Sequence, residues 1–430
     1  MRRNSAAHRE RAALVGLFGA DRWEAERSLD ELAGLAGAAG AAVVLRVLQE
    51  RAKPDPATFV GSGKIAQLAV SCDEVGADLV IFNNELTPAQ LRHVEAALDR
   101  KTLDRTQLIL DIFARRARTR EGQWQVELAQ LRYLLPRLVG AGAALSRLGG
   151  GIGTRGPGET KLETDRRRIR QRIGAVARAI DQVRSRRSQL RDRRHRAAVP
   201  TVALVGYTNA GKTTLFNALT GQQADASNAM FVTLDPLVRR VRLPDNRELL
   251  VSDTVGFIDR LPHTLVAAFR ATLEEVKGAD LLLHVVDASS PEVGRQMKAV
   301  TRVLVEVEAA DVPVLEVFNK CDLVSADELG RLERAHPDAV FISAIRADRF
   351  ESHQELIDTM ASRLALDTKR VTLVFNSHDP DDQARIARLY RHARVLQHVL
   401  TEDRVQIEAD VPRRLLERLV EAPVHAEVPR

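Results

Sequence analysis

Cysteine and long apolar runs are the two features that this sequence of 430 residues most clearly lacks. Cys72 and Cys321 are its only cysteines, which excludes a disulfide framework and a cysteine-rich metal site and favours a reducing cytosol. No apolar stretch approaches the ~20 residues that a membrane span requires. The short run "AALVGLFGA" is followed at once by "DRWEAER", so it predicts a buried strand rather than a signal peptide.

Positive charge is unevenly distributed along the chain, whose formal net charge is +6. Between Lys161 and Arg196, fourteen Lys or Arg residues accompany four acidic residues, so this segment carries +10 and the rest about −4. Basic charge gathered in one segment indicates a polyanionic partner, and nucleic acid is the simplest one.

Residues 1–115 have the pattern of a small α/β domain. The apolar runs "VVLRVL" and "DLVIFNN" alternate with the helical patterns "GKIAQLAVSCDEVG" and "TPAQLRHVEAALD". Alternation of this kind predicts a small parallel sheet.

A helical hairpin is predicted for residues 116–197, with a glycine-rich tip loop at 139–161. The apolar residues of its first helix are spaced 4, 3 and 4 apart: Trp124, Leu128, Leu131 and Leu135. Those of the second repeat at 4, 3, 4 and 3: Ile169, Ile173, Val176, Ile180 and Val183. Two matching apolar seams joined by one loop favour an antiparallel pair. The alternative is a helical linker with a solvated basic face.

From residue 198 to 366, strand and helix alternate regularly. The predicted strands are "TVALVG", "ELLVSD", "LLLHVVDA", "VPVLEVFN" and "AVFISA". This pattern is typical of a doubly wound, mostly parallel sheet. Residues 367–430 contain "RVTLVFNS", an arginine-rich helix and "DRVQIEAD", which predict a small C-terminal α/β domain.

The sequence "GYTNAGKT" has the spacing of a phosphate-binding loop, with Gly206, Gly211, Lys212 and Thr213 in the required positions. It follows an apolar strand and precedes a helical stretch, which is the context that the motif needs. Backbone N–H groups of the loop and of the helix N-terminus would surround the β-phosphate. Lys212 would neutralise the β- and γ-oxygens, and the Thr213 hydroxyl would ligate Mg²⁺.

Two further motifs supply the remaining phosphate and metal contacts. "DTVG" follows the strand "ELLVS", so Asp253 is predicted to hold Mg²⁺ through water, and the Gly256 N–H to meet the γ-phosphate. Thr233, in "FVTLDP", is the predicted mobile-loop hydroxyl that ligates Mg²⁺ only when the γ-phosphate is present. Thr220 is the poorer candidate because it belongs to the preceding helix.

The motif "FNKCD" identifies the base as guanine. Asp322 can accept hydrogen bonds from N1–H and from the exocyclic amine of guanine, whereas adenine would leave that carboxylate unpaired. Asn319 would brace the loop, and the stem of Lys320 would cover the base. A backbone N–H of Ser343 or Ala344 could reach guanine O6. The predicted substrate is therefore GTP rather than ATP.

Phe257 stands where many GTPases place a glutamine that orients the attacking water. Because phenylalanine cannot do so, intrinsic hydrolysis is expected to be slow unless a partner supplies the missing geometry. Asn209 has two interpretations. It could hold K⁺ against the phosphates, as in the cation-activated GTPases that this loop resembles, or it could make a structural bond within the loop.

A second glycine loop, "LGGGIGTRGPGETKLETDRRR", contains Gly-x-Gly-x-x-Gly at Gly151, Gly153 and Gly156. A dinucleotide fingerprint requires a strand before it and a helix after it, whereas helices are predicted on both sides here. The stretch "GSGK" at 61–64 also fails, because it lacks the first glycine and the metal-binding hydroxyl of a phosphate loop. Only residues 206–213 are predicted to cradle phosphate.

At a hairpin tip, six glycines would form a slim loop whose backbone can enter a narrow space. Basic side chains around it could meet phosphates, and the tip carries no aromatic residue for base stacking. We therefore expect contact with folded RNA through shape and charge. The expected RNA contacts are Arg147, Gly149, Gly150, Gly151, Gly153, Arg155, Gly156, Gly158 and Lys161.

The stretches "GGGIGTRGPGETKLETDRR", "GYTNAGKTTLFN" and "DTVGFI" resemble the HflX family of ribosome-associated GTPases, and the resemblance covers nearly the whole chain. It implies an α/β fold in which a P-loop GTPase domain follows a small α/β domain with a long antiparallel helical hairpin and precedes a small α/β C-terminal domain. It also implies GTP hydrolysis and binding to the large (50S) ribosomal subunit and its rRNA, with the hairpin loop directed toward the peptidyl-transferase centre. The implied role is splitting or rescuing stalled or idle ribosomes.

The resemblance assigns roles to named residues, and an apolar residue at Phe257 agrees with the family. The expected catalytic groups are Lys212, Thr233 and Gly256, and Mg²⁺ is expected on Thr213, Thr233 and, through water, Asp253. The expected nucleotide contacts are Gly206, Tyr207, Thr208, Asn209, Ala210, Gly211, Lys212, Thr213, Thr214, Phe231, Val232, Thr233, Leu234, Asp235, Asp253, Thr254, Val255, Gly256, Asn319, Lys320, Cys321, Asp322, Ser343, Ala344 and Ile345.

Two other functions stay open at the level of sequence. One is a GTPase that acts on ribosome assembly or on transfer RNA. The other is a nucleotide-locked rRNA-binding scaffold with negligible hydrolysis, for which Phe257 is the best support. A cytoplasmic monomer is expected, with any membrane association arising through ribosomes.

Overall fold

Two compact units make up the chain in the computed structural model. The first contains Met1–Arg184, Ser227–Asp235 and Arg260–Phe269, and the second contains Ser185–Ala226, Pro236–Asp259 and Arg270–Arg430. The structure describes residues 9–138, 157–196, 199–221, 230–242, 248–259, 275–346, 350–364, 366, 368–401, 403–413, 415–416 and 426–427. The tip loop falls almost entirely outside these ranges. The division into four domains therefore stays a prediction.

A four-stranded parallel sheet, in the order β2-β1-β3-β4, forms the centre of the first unit. Its strands are β1 (Arg11–Phe18), β2 (Ala42–Glu50), β3 (Leu79–Phe82) and β4 (Lys101–Asp104). The helices α1 (Arg22–Ala38), α2 (Ser62–Glu74), α3 (Pro88–Leu98) and α4 (Arg105–Arg116) connect and follow them. The predicted small parallel sheet is thus present, and "AALVGLFGA" supplies its strand β1.

Two long helices continue the first unit, α5 (Arg120–Arg137) and α6 (Pro157–Arg196), the last of whose residues enter the second unit. Arg172 of α6 donates to both carboxylate oxygens of Glu127 on α5, with N–O distances of 2.6 and 2.9 Å. On α6 the predicted seam residues are less exposed than most of the arginines, and Val176 is buried. The end of α5 is fixed by Arg137, which donates to the buried carboxylate of Asp104 at 3.0 Å.

The second unit is built around a six-stranded sheet in the order β10-β9-β8-β5-β7-β6. The strands are β5 (Thr201–Gly206), β6 (Leu237–Arg242), β7 (Glu248–Asp253), β8 (Leu281–Asp287), β9 (Val314–Asn319) and β10 (Val340–Phe341). Only β6 runs antiparallel to its neighbour. The helices are α7 (Lys212–Thr220), α8 (Val293–Glu306), α9 (Ala326–Ala335) and α10 (Phe350–Arg363).

Strand β5 lies between β7 and β8, where the order of strands along the chain reverses. In doubly wound sheets, ligands bind in the crevice that such a reversal creates at the carboxyl ends of the strands. The loop that follows β5 is the predicted phosphate cradle. The fold therefore confirms the predicted class and places that loop at the expected edge.

The C-terminal part of the second unit is an antiparallel sheet in the order β12-β13-β11-β14 with one helix packed against it. Its elements are β11 (Thr368–Asn376), α11 (Pro380–His392), β12 (Arg394–Leu400), β13 (Arg404–Pro412) and β14 (Ala426–Glu427). Among the helices that the structure describes, none is both long enough and apolar enough to cross a membrane.

Candidate nucleotide-binding site

The loop between β5 and α7 needs glycine at both ends. A Cβ on Gly206 would overlap the carbonyl group of Val285 on the neighbouring strand β8. Gly211 has φ of +93°, and a Cβ there would overlap the side-chain amide of Asn319. Glycine alone avoids both contacts, and it lets the backbone N–H groups at the start of α7 face a bound anion.

Lys212 is the buried cation of this loop, with only 6% of its surface exposed. Its Nζ donates to the carbonyl oxygens of Gly206 at 3.1 Å and of Tyr207 at 2.8 Å. Burial lowers the pKa of Lys212 to about 8, although the carboxylate of Asp253 opposes the shift. Negative phosphate oxygens would favour the charged ammonium, so the loop is suited to a polyphosphate.

His284 on β8 is a buried titratable group that sequence reasoning did not single out. Burial is the main cause that lowers the pKa of His284 to about 4, and the positive charge of Lys212 adds to it. The imidazole is therefore neutral at physiological pH and adds no second cation beside the loop. A histidine within an apolar strand pattern was the available signal.

Thr213 and Asp253 bring two hard oxygen donors together at the same edge of the sheet. The Thr213 hydroxyl donates to Asp253 Oδ2 at 2.8 Å, and Asp253 is fully buried at the end of β7. Oxygen ligands of this kind suit Mg²⁺. The residues present thus fit the metal that the sequence predicts, with Thr213 in the first turn of α7 and Asp253 at the carboxyl end of β7.

Gly256 and Phe257 lie directly against the phosphate loop. A Cβ on Gly256 would come within 2.8 Å of Thr208 Cα and 3.1 Å of Lys212 Nζ, so only glycine fits without displacement. The Phe257 N–H donates to Gly206 O at 3.0 Å, and its carbonyl accepts from the Thr208 N–H at 2.7 Å. The ring of Phe257 is 1% exposed. It is therefore a core side chain that cannot orient a water molecule.

Asn319 joins the phosphate loop to the segment after β10. Its Nδ2 donates to the carbonyl of Ala210 at 2.9 Å, and its Oδ1 accepts from the N–H of Ala344 at 2.9 Å. These two bonds fit the bracing role that the sequence predicts for Asn319. The Ala344 N–H therefore already donates to Asn319. The side chain of the next residue, Ile345, is exposed.

The expected guanine-recognition residues lie beside this brace. The Ser343 hydroxyl donates to Asp322 Oδ1 at 2.6 Å, which orients the carboxylate. Lys320 has φ of +65°, and its Nζ pairs with Asp287 at 2.6 Å. Burial is the main cause that raises the pKa of the Cys321 thiol to about 11, so this cysteine is a neutral packing group. A fixed carboxylate suits recognition of two adjacent N–H groups on one base edge.

The remaining predicted contacts differ in position. Thr254 is buried and its hydroxyl donates to Leu204 O on β5, so its side chain belongs to the sheet. Asn209 is exposed with φ of +62°. Five further predicted contacts belong to the first compact unit, whereas the phosphate loop belongs to the second: Phe231, Val232, Thr233, Leu234 and Asp235.

Most of the expected RNA contacts lie outside the described residues: Arg147, Gly149, Gly150, Gly151, Gly153, Arg155 and Gly156. Gly158 and Lys161 lie on the backbone of α6.

Three family models match the chain in the order that the fold suggests. They are described as GTP-binding GTPase N-terminal (residues 26–114), GTP-binding GTPase Middle Region (116–194) and 50S ribosome-binding GTPase (201–320). The GTPase HflX of Caldanaerobacter subterraneus subsp. tengcongensis is 45% identical over 418 residues, which is 96% of this chain and 94% of that protein. This chain belongs to the HflX family. It is therefore a GTPase.

A second HflX relative agrees with this assignment. The GTPase HflX of Escherichia coli K12 is 44% identical over 365 residues, which is 84% of this chain and 85% of that protein. A GTP-binding protein from the archaeon Sulfolobus solfataricus, crystallised with GDP, is similar at 24% identity and a TM-score of 0.44 over 83% of this chain and 98% of that one.

Proposed function

We propose that this HflX-family GTPase binds the large ribosomal subunit in its GTP state and splits or rescues stalled or idle ribosomes. The observation that carries the proposal is the exposed arginine face of α6, which includes Arg167, Arg168, Arg170 and Arg178. A helix of this charge provides long-range, salt-dependent attraction to rRNA. The matched model described as 50S ribosome-binding GTPase supports the same partner.

GTP would bind with its phosphates in the loop at 206–213 and its base at Asp322. Lys212 would exchange its two loop carbonyls for β- and γ-oxygens, and Thr213 and Asp253 would hold Mg²⁺, which neutralises the phosphate charge. Thr233 would complete the site only when the γ-phosphate is present. The Gly256 N–H would lie against that phosphate, next to Lys212.

Hydrolysis is proposed to be slow in the free protein and faster on the ribosome. The supporting observation is the buried ring of Phe257, which leaves the usual water-orienting position without a polar side chain. Contact with rRNA would fix the nucleotide site in its reactive geometry. Whether K⁺ at Asn209 contributes is answered by comparing rates in potassium and sodium salts.

The glycine-rich tip is proposed to reach folded rRNA in a narrow space near the peptidyl-transferase centre, with Arg147, Arg155 and Lys161 at phosphates. Its glycines would let the backbone approach closely, and α6 would supply the attraction behind it. We propose that the protein acts in the cytosol and as a monomer.

The deciding experiment is co-sedimentation with separated ribosomal subunits in GDP and in a non-hydrolysable GTP analogue. We expect retention on the large subunit with the analogue, little retention on the small subunit, and hydrolysis that rises when large subunits are added. Binding that ignores the nucleotide, or that prefers transfer RNA or assembly intermediates, would overturn the proposal. If deletion of residues 142–158 leaves subunit binding unchanged, the glycine-rich tip does not contribute to binding.

A further inference from the structure

The segment that carries Thr233 clusters with the first unit, whereas the phosphate loop belongs to the second. We call residues 230–235 the switch segment. The helix α7 and the strand β6, which flank this segment along the chain, belong to the second unit. The C-terminal end of the switch segment is bonded at the start of α5, and its N-terminal end packs against α1 and α4.

Asp235 anchors the end of the switch segment to the N-terminus of α5. Its Oδ2 accepts from the backbone N–H groups of Arg118 and Thr119, both at 2.9 Å, and its Oδ1 accepts from the Thr119 hydroxyl. Thr119 is also the N-cap of α5 and accepts from the Gly122 N–H at 3.0 Å. A carboxylate at this position is favoured by unsatisfied N–H groups and by the helix dipole.

The other end of the switch segment is anchored by apolar contacts. Phe231 is 2% exposed, and its ring meets the ring of Phe113 on α4 edge to face, with centroids 4.7 Å apart. Gly34 of α1 leaves room for the side chain of Met230, because a Cβ there would come within 2.8 Å of its terminal methyl group. Phe231 also has φ of +55°, so the backbone turns sharply at this anchor.

Thr233 stands between these two anchors, two residues from each. We propose that the anchored switch segment transmits the nucleotide state to α5, the first helix of the predicted hairpin. When the γ-phosphate and metal draw in Thr233, the displacement passes through Asp235 to the N-terminus of α5 and through Phe231 to α4. Asp235, Thr119, Phe231 and Phe113 are thus positioning residues. The inference rests on the proposed function in placing Thr233 at the γ-phosphate and in connecting α5 to rRNA.

Gly122 offers a sharp way to break the Asp235 anchor. It lies within the first turn of α5, and a Cβ added there would overlap the Asp235 carboxylate. Because that carboxylate is the end of a flexible side chain, Gly122→Ala should displace it while favouring the helix itself. Gly37 is a matched control, since it lies in α1 of the same unit and a Cβ there meets no atom within 4 Å.

The test is hydrogen–deuterium exchange of residues 117–125, around the start of α5, in the full chain with GDP and with a non-hydrolysable GTP analogue. In the wild type and in Gly37→Ala we expect exchange in this stretch to differ between the two nucleotides. In Gly122→Ala the difference should disappear. Asp235→Ala is the second variant, which removes the carboxylate without adding a methyl group and should behave in the same way.

A nucleotide-dependent difference that persists in both variants, or that the wild type lacks, would overturn the inference. Exchange needs no ribosome, so failure of the proposed ribosomal role would leave this result standing. If that role holds, the ratio of large-subunit affinities in GTP analogue and in GDP should fall in Gly122→Ala by about 5-fold or more, toward 1. Gly37→Ala should keep the wild-type ratio.

Discussion

Two carboxylates predicted at the same nucleotide have quite different surroundings. Asp253 is fully buried at a strand end, bonded to Thr213 in the unit that holds the phosphate loop. Asp235 is half-buried and accepts its hydrogen bonds from the N-terminus of α5 in the other unit. The first belongs to the predicted phosphate and metal site of the second unit. The second belongs to the switch segment, which clusters with the first unit.

These different surroundings predict that nucleotide binding depends on the phosphate loop, whereas the response to GTP depends on the switch segment. The phosphate loop is held in place by the neighbouring strands, by the close fit at its glycines and by Asn319. We therefore expect it to bind GDP and GTP with little rearrangement. The contacts of Asp235 and Phe231 lie within the first unit, and we propose that the switch segment responds to a ligand that reaches Thr233. Changes in the cradle should therefore affect both nucleotides, and changes in the switch segment should affect only the response to GTP.

Lys212→Ala is expected to give the largest effect. Removal of the buried ammonium leaves phosphate charge unpaired, so the affinity for GDP and GTP should fall together by about 10²- to 10³-fold. Titration with fluorescent guanine nucleotides measures both. Lys298→Ala, at an exposed position of α8, is the control and should bind normally. Loss of GTP affinity alone would contradict the cradle's role for both nucleotides.

Asp322→Asn should change the base that is bound. The amide cannot accept both N–H groups of guanine but can donate to the 2-oxo group of xanthine, so GTP affinity should drop about 100-fold while XTP binding improves. Competition between GTP and XTP gives the ratio directly. An unaltered preference for guanine would show that the carboxylate fixed by Ser343 does not read the base.

Thr233→Ala should separate the two regions most clearly. Loss of the hydroxyl should reduce hydrolysis about 10- to 100-fold and leave GDP affinity within a factor of about 2, because GDP lacks the γ-phosphate. Thr220→Ala is the matched control, since the Thr220 hydroxyl donates only within α7, to Phe216 O at 2.7 Å. Equal hydrolysis rates in the two variants would show that Thr233 does not ligate the metal.

Phe257→Gln is expected to destabilise the protein without accelerating hydrolysis. The ring is buried against the phosphate loop, so an amide there is desolvated, at a cost of about 2 kcal/mol in the free energy of unfolding. Urea denaturation and single-turnover hydrolysis measure the two effects. A stable variant with faster intrinsic hydrolysis would mean that the side chain can turn toward the nucleotide.

The smallest effect concerns pH. Because the pKa of Lys212 is lowered to about 8 without nucleotide and bound phosphates favour the ammonium, GTP binding should take up a proton above pH 8. GTP affinity should then fall as the pH rises, by up to about 10-fold between pH 8 and 9. Calorimetry in two buffers with different ionisation enthalpies detects the proton, and at pH 7 this uptake should be absent.

The phosphate loop and the mostly parallel sheet could be predicted because both depend on local patterns. Glycine spacing fixes where backbone can approach phosphate, and apolar alternation marks the central strands. The sequence patterns did not indicate four strands, β4, β6, β12 and β14. All four are edge strands, and in β6 the exposed Arg239 and Arg240 interrupt the apolar pattern. Edge strands commonly carry such charges, which protect them from pairing with other chains.

The anchoring of Asp235 could not be predicted from the sequence. Its partner Thr119 is 116 residues away, and two of the three bonds come from backbone N–H groups that any residue could supply. Thr119 can be predicted as a helix N-cap, but nothing in that signal names a distant carboxylate. The residues of the predicted nucleotide site can be named from the sequence, whereas the bonds between Asp235 and the start of α5 follow only from the three-dimensional structure.

Through one side-chain amide, Asn319 ties the carbonyl of Ala210 to the N–H of Ala344. We therefore expect Asn319 to couple the predicted phosphate pocket to the predicted base pocket. Guanosine and pyrophosphate, added as separate molecules, should each make the site more receptive to the other. An inhibitor that occupies only one pocket would then also stiffen its empty neighbour.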